Sequence, residues 1–136
     1  MSYSQVPAYV LGTACCGRGL MGALSPRSEY GHVGLRLEGG GGPISTPDGG
    51  GGGVASPLMY FKAIREASYG AALIALQYQG HEASLTTLIG ILSAVRLADG
   101  AVVWWHGGEP LRWRALGHWI TGVGFLGWFV WRQGVV

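Results

Sequence analysis

Charge is scarce in this sequence. Of 136 residues only 12% are Asp, Glu, Lys or Arg, and Lys62 is the single lysine; an average soluble domain carries about 25%. The net charge of +2 comes without any basic run, which argues against nucleic acid as a partner. Cysteine is nearly absent as well. Cys15 and Cys16 are neighbours, and neighbouring Cβ vectors diverge too far for an easy bridge. No Cys/His spacing suits zinc, so both read as small apolar packing residues. There is no GK[ST] phosphate loop and no GxSxG elbow, and no motif for a nucleotide, flavin, haem or metal. No cofactor is expected. Met1 to Val6 carry no positive charge and Arg18 interrupts the apolar stretch that follows, so no cleaved secretory leader is expected.

What the chain does have is apolar surface. Hydrophobic residues make up 49%, and there are six tryptophans. Four apolar stretches stand out, Val6 to Leu24, Pro57 to Gln79, Ala83 to Trp105 and Leu111 to Trp131. Each has about the 20 residues that cross a hydrocarbon core of roughly 30 Å. The sequence therefore predicts an all-α, four-helix transmembrane bundle forming one domain over residues 1–136. A soluble four-helix bundle is the competing fold, but the third and fourth stretches are apolar nearly all round, where a soluble helix would show a wet face. Residues 25–56, opened by Ser25-Pro26, are expected to be a long flexible loop, with Gly39 to Gly42 and Gly49 to Gly53 as a low-complexity insertion. Gly12, Cys16, Gly19, Gly22 and Ala23 in the first stretch, and Gly117, Gly124 and Gly127 in the fourth, are small residues that allow close helix packing in lipid.

Orientation follows from the arginines. Arg27, Arg36, Arg112 and Arg114 lie in the loops joining helices one to two and three to four, while the other side has only Arg132. The positive-inside bias puts those loops in the cytosol and both termini on the lumenal or outer side. The charges inside the helices then fall into a layer. Arg18, Arg65, Glu66, Arg96, Asp99 and His118 come from four different stretches and lie roughly 6–14 Å below one surface at a rise of 1.5 Å per residue.

Intramembrane charges are costly, and they usually pair and face the bundle interior. As a site, this layer offers Asp99, His118 and Glu66 as catalytic acid or base, with Arg65, Arg96, Arg18 and Tyr69 binding an oxygen-bearing substrate. As structure alone, it is an ion-pair network that fixes helix register. The arginines argue against a bound cation. His32 and His106 read as solvated loop residues, and Glu82 as a charge favoured at a helix N-terminus.

The proline-ended first helix, Ile64-Arg65-Glu66 with Gly70 in the second, Asp99-Gly100 near the end of the third and His118 in the fourth resemble a known family. It is the group of small four-helix integral membrane proteins catalogued as domain of unknown function 4267, found in fungi and bacteria. The resemblance runs from about Val6 to Trp131 apart from the glycine-rich insertion. It implies a membrane bundle with Arg65, Asp99 and His118 in its polar centre. Small fungal membrane proteins of this kind accompany natural-product pathways with terpenoid or polyketide intermediates, which is an association only.

Three functions are then in view. The first is a cofactor-free cyclase or isomerase acting on a lipophilic intermediate in secondary-metabolite biosynthesis, for instance by intramolecular Diels–Alder closure, in a membrane such as the endoplasmic reticulum. The second is a non-catalytic scaffold or accessory subunit for pathway enzymes or a homo-oligomer. The third, a proton-coupled transporter, suits Asp99 and His118, but four short helices without an inverted repeat make it a poor fit.

Overall fold

The computed structural model describes residues 5–37 and 54–134. They form α1 (Val6–Leu24), α2 (Pro26–Val33), α3 (Leu58–Tyr78), α4 (Glu82–His106), a 3-10 turn at Arg112–Arg114 and α5 (Ala115–Gln133). The described chain is all-α. The long helices match the four apolar stretches, and the glycine-rich insertion lies outside the described residues. One expectation changes. Pro26–Val33 is a helix where a loop was expected, because Ser25-Pro26 both ends α1 and starts α2. Proline's fixed φ and missing N–H suit a first helical turn.

Two glycine turns set the topology. Gly34 has φ 91° after α2, and Gly80 has φ 71° between α3 and α4. At each, the next residue's N–H reaches back to an orphaned carbonyl: Leu35 to Tyr30 and His81 to Leu76, both at 3.0 Å. Glycine accepts the left-handed backbone that this Schellman closure needs.

The long helices assemble as two tight pairs. In the α1–α3 pair a methyl group added at Gly19 would lie 2.6 Å from the Ala63 carbonyl oxygen, and Gly70 lies directly against the Gly12 carbonyl and Cys16. In the α4–α5 pair aromatic rings lie on glycines: Trp119 covers Gly100 and Phe129 covers Gly90, while Gly122 packs on Leu97. The expected α5 glycines, Gly117, Gly124 and Gly127, have open space around them, so Gly122 supplies the close contact instead.

The two pairs meet along a thinner α3–α4 seam, and α1 scarcely touches α5. Ala8, Leu73, Leu85, Ile89, Leu92 and Phe125 form the apolar core between the pairs. A second cluster of Val33, Val103 and Ala115 closes the end where α2 and the 3-10 turn lie. The outward faces are apolar too: Val10 and Leu20 on α1, Phe61 and Ile64 on α3, Ile91 and Val102 on α4, and Ile120 and Val123 on α5 are exposed. Among the described residues one helix, α4, is long and apolar enough to cross a membrane, with a mean hydropathy of 1.5 over its best window.

Packing predicts opposite outcomes for one chemical change at two glycines. Gly70→Ala should destabilise by about 1–3 kcal/mol, because its methyl meets helix backbone that cannot rotate away. Gly124→Ala should be neutral or stabilise by up to about 1 kcal/mol through helix propensity. Unfolding of the purified protein, followed by circular dichroism, separates them.

Candidate functional site

The interior charges are tied across helices. Arg96 on α4 donates from Nη1 to Glu66 Oε1 at 2.9 Å and from Nη2 to Oε2 at 2.6 Å, a two-pronged contact with α3. The Glu66 side chain is only 2% exposed and that of Arg96 16%. Next to it, Arg65 Nη2 donates to both oxygens of Asp99 at 3.0 Å. α3 and α4 run antiparallel, so Arg65-Glu66 meet Asp99 and Arg96 in the order that matches opposite signs. Planar guanidinium–carboxylate forks of this kind combine strength with fixed geometry.

A third cluster depends on α2. Glu29 is buried, and its Oε1 accepts from Arg18 Nη2 at 2.6 Å and from Lys62 Nζ at 3.1 Å. The same short helix offers the Val33 carbonyl to His118 Nε2 at 3.1 Å. A carbonyl only accepts, so Nε2 carries the proton and the lone pair of the neutral ring lies on Nδ1. Tyr30 completes the role of α2. Its hydroxyl accepts from the Ser56 backbone N–H at 3.0 Å and ties the returning chain to the bundle.

Where α1 and α5 stand apart, a cavity of about 300 Å³ opens. α1 contributes Leu11, Ala14, Cys15 and Arg18; α2 contributes His32; α4 contributes Arg96. The start of α5 and the turn before it supply Arg114, Gly117, His118, Thr121 and Phe125. Arg96 links the cavity to the α3–α4 seam, since its guanidinium also lies 3.9 Å from Cys15 Sγ.

Three sequence-predicted site residues, Arg18, Arg96 and His118, therefore share one cavity. Glu66 stands behind Arg96. Arg65 and Asp99 pair with each other outside the lining, and Tyr69 packs on the apolar core. Sequence reasoning missed Glu29, Arg114, His32 and Cys15. Pro26 and Gly34, standing just inside the start and just past the end of an eight-residue helix, were the signal that placed Glu29. His32 is exposed as expected, yet it borders the cavity and donates from Nδ1 to the Ser28 carbonyl at 2.8 Å.

The far end of the bundle holds another polar knot. Arg132 is fully buried and donates from Nε to Thr86 Oγ1 at 2.8 Å while pairing with the Glu82 carboxylate. Gln77 Nε2 donates to Glu82 Oε1 at 3.3 Å. Glu82 thus does more than favour a helix terminus: it joins α3, α4 and α5.

The molecule falls in the class of small all-α bundles with ion pairs between its helices and, among the described residues, an open α1/α5 seam. Within that class the chain belongs to the family described as Domain of unknown function (DUF4267), whose model matches residues 12–132. That match takes in the α1–α3 seam, every ion pair above and Arg132. No curated protein and no solved structure matches the chain.

Removing one partner of a buried pair leaves the other charge stranded. Glu66→Gln should therefore cost about 3–5 kcal/mol in unfolding free energy. Glu109→Gln breaks the exposed Glu109–Arg112 pair and should cost less than about 1 kcal/mol. Denaturant titration of both variants checks the contrast.

Proposed function

We propose that this is a multi-pass membrane protein whose α1/α5 cavity holds a lipophilic, oxygen-bearing molecule of the terpenoid or polyketide kind. In this reading it performs a cofactor-free isomerisation or ring closure there. The observation that carries the proposal is the convergence of Arg18, Arg96 and His118, from three long helices, on one cavity with apolar walls.

The apolar outward faces of α1, α3, α4 and α5 support insertion, since large contiguous apolar surface needs lipid or a partner to cover it. Gly34 at the end of α2 abuts Arg114, which brings the two arginine-bearing connections to one end of the bundle. The positive-inside rule turns that end to the cytosol and both termini to the lumenal side of a membrane such as that of the endoplasmic reticulum. At the same end Arg112 lies 5.4 Å from the ring centroids of both Trp104 and Trp113, a cation–aromatic stack suited to the headgroup region.

Each group has a role in the chemistry. Glu66 holds the Arg96 guanidinium in place, so its remaining donor capacity can polarise a substrate carbonyl without reorganising first. His118, with Nε2 committed to Val33, offers Nδ1 as a base that can take a proton and return it elsewhere on the same molecule. Leu11 and Phe125 confine the carbon chain, and orientation alone contributes several kcal/mol to a ring closure. Glu66 and Asp99 act through the arginines they hold. The second reading, a non-catalytic scaffold, draws on the same pairs, because Glu66, Asp99 and Glu29 each already have a cation.

Mass spectrometry of lipophilic metabolites from the source strain and a deletion strain tests the proposal. One product should vanish while an isomer of identical mass accumulates. His118→Gln keeps an N–H for Val33 but loses the base, and should reproduce the deletion at normal protein abundance. A uniform fall in pathway flux, or normal product from His118→Gln, favours the scaffold.

A further inference from the structure

We infer that the molecule held in the α1/α5 cavity is an amphiphile with an anionic head, a carboxylate or a phosphate, lodged at the α2 end with its apolar part directed toward Leu11 and Phe125. The inference rests on the reading of the cavity as a ligand site and names the charge and orientation of its occupant.

Charge balance comes first. Among the described residues no carboxylate lines the cavity, whereas Arg18, Arg96 and Arg114 do. Behind them, among the described residues, stand Glu29 and Glu66. Glu29 is shared, since Arg18 and Lys62 both reach its Oε1, and Glu66 is taken up by Arg96. Arg114 has no carboxylate partner among the described residues. Among the described residues Arg18, Arg96 and Arg114 at the cavity and Lys62 behind it thus stand against two carboxylates, a surplus of two positive charges. Asp99 does not offset it, because Arg65 takes both of its oxygens. Arg114 is exposed and Arg18 partly so at the rim, while Arg96 stands deeper, so an anion entering the cavity meets guanidinium donors without breaking a buried pair.

Polarity along the cavity then orients the occupant. On α1 the lining runs from Arg18 through Cys15 to Leu11, and on the other wall from Arg114 through His118 and Thr121 to Phe125. At 1.5 Å per residue these walls are roughly 10 and 16 Å long. Both begin with a guanidinium at the α2 end and finish with an apolar side chain. Two independent helices share the same gradient, and it is that of a head and a tail. A small free anion would leave the Leu11–Phe125 half empty, and a neutral lipid would leave Arg114 without a counter-charge among the described residues.

The full chain in nanodiscs of neutral phosphatidylcholine, titrated with 11-(dansylamino)undecanoic acid, gives the test. Energy transfer from tryptophan to dansyl reports binding. The acid should bind at least about tenfold more tightly than its methyl ester, the difference expected for one charge-assisted contact. Dodecanoate or dodecyl phosphate should displace it, and the stronger of the two identifies the head. Arg114→Gln should weaken the acid about tenfold, leave the ester unchanged and keep the wild-type Tm.

Equal binding of acid and ester, or an Arg114→Gln variant with unchanged affinity for the acid, overturns the anionic head while the cavity stays a ligand site. Displacement by inorganic phosphate as readily as by dodecyl phosphate overturns the amphiphile. If neither acid nor ester binds, the ligand-site reading under Proposed function falls together with this inference.

Discussion

The fork between Arg96 and Glu66 fixes how the two halves of this molecule meet. The α1–α3 and α4–α5 pairs each close on glycines, but the surface between the pairs is thinner, and apolar contact there resists sliding only weakly. The charges supply the missing register. Arg65 faces Asp99 and Glu66 faces Arg96. A slip of three residues along α4 would set Arg96 against Arg65, a like-charge contact beside a low-dielectric core. Alternating signs on antiparallel helices therefore leave one alignment satisfied and penalise the neighbouring one, which is specificity gained through repulsion as much as attraction.

That register also decides which charges face the cavity. With Glu66 and Asp99 spent on the α3–α4 seam, Arg96 is the member of the layer that reaches from the seam to the α1/α5 opening. α2 does the corresponding work on the other side. Its eight residues hold Arg18 and Lys62 through Glu29, His118 through the Val33 carbonyl and the returning chain through Tyr30. The site is thus an outcome of two counter-charged supports, one on α3 and one on α2, with cationic groups projecting between them.

Much of this was legible from the amino acids, for identifiable reasons. The four long helices follow from apolar runs of membrane-spanning length, and the ionisable layer from the shared depth of Arg18, Arg65, Glu66, Arg96, Asp99 and His118. Depth, however, says nothing of azimuth. Whether Asp99 turns toward Arg65 or toward the cavity depends on how α4 is rotated by Trp119 on Gly100 and Phe129 on Gly90, contacts between residues far apart in sequence. For the same reason Gly122 replaced Gly117, Gly124 and Gly127 as the tight contact of α5. α2 was hidden because Pro26 could end one helix as well as begin another, and with it went Glu29, the counter-charge of Arg18. Arg132 was read only as the lone arginine of its side because its partners, Glu82 and Thr86, lie about 50 residues away in the chain.

The two ends of the bundle consequently differ in what they can do. At the end near Gly80, Arg132 is enclosed by Glu82 and Thr86, with Gln77 bonded to the same carboxylate and the Trp128 ring 6.0 Å away. Charge there is matched within the chain, and α3, α4 and α5 are cross-tied. At the α2 end, among the described residues, cations outnumber carboxylates around a cavity whose two long walls, α1 and α5, make little contact. The α1/α5 seam carries few buried contacts, whereas the α1–α3 and α4–α5 seams are closed by glycines and the α3–α4 seam by ion pairs. Cross-tied charge at one end and a thinly packed seam at the other thus divide the bundle into a closed half and an open one.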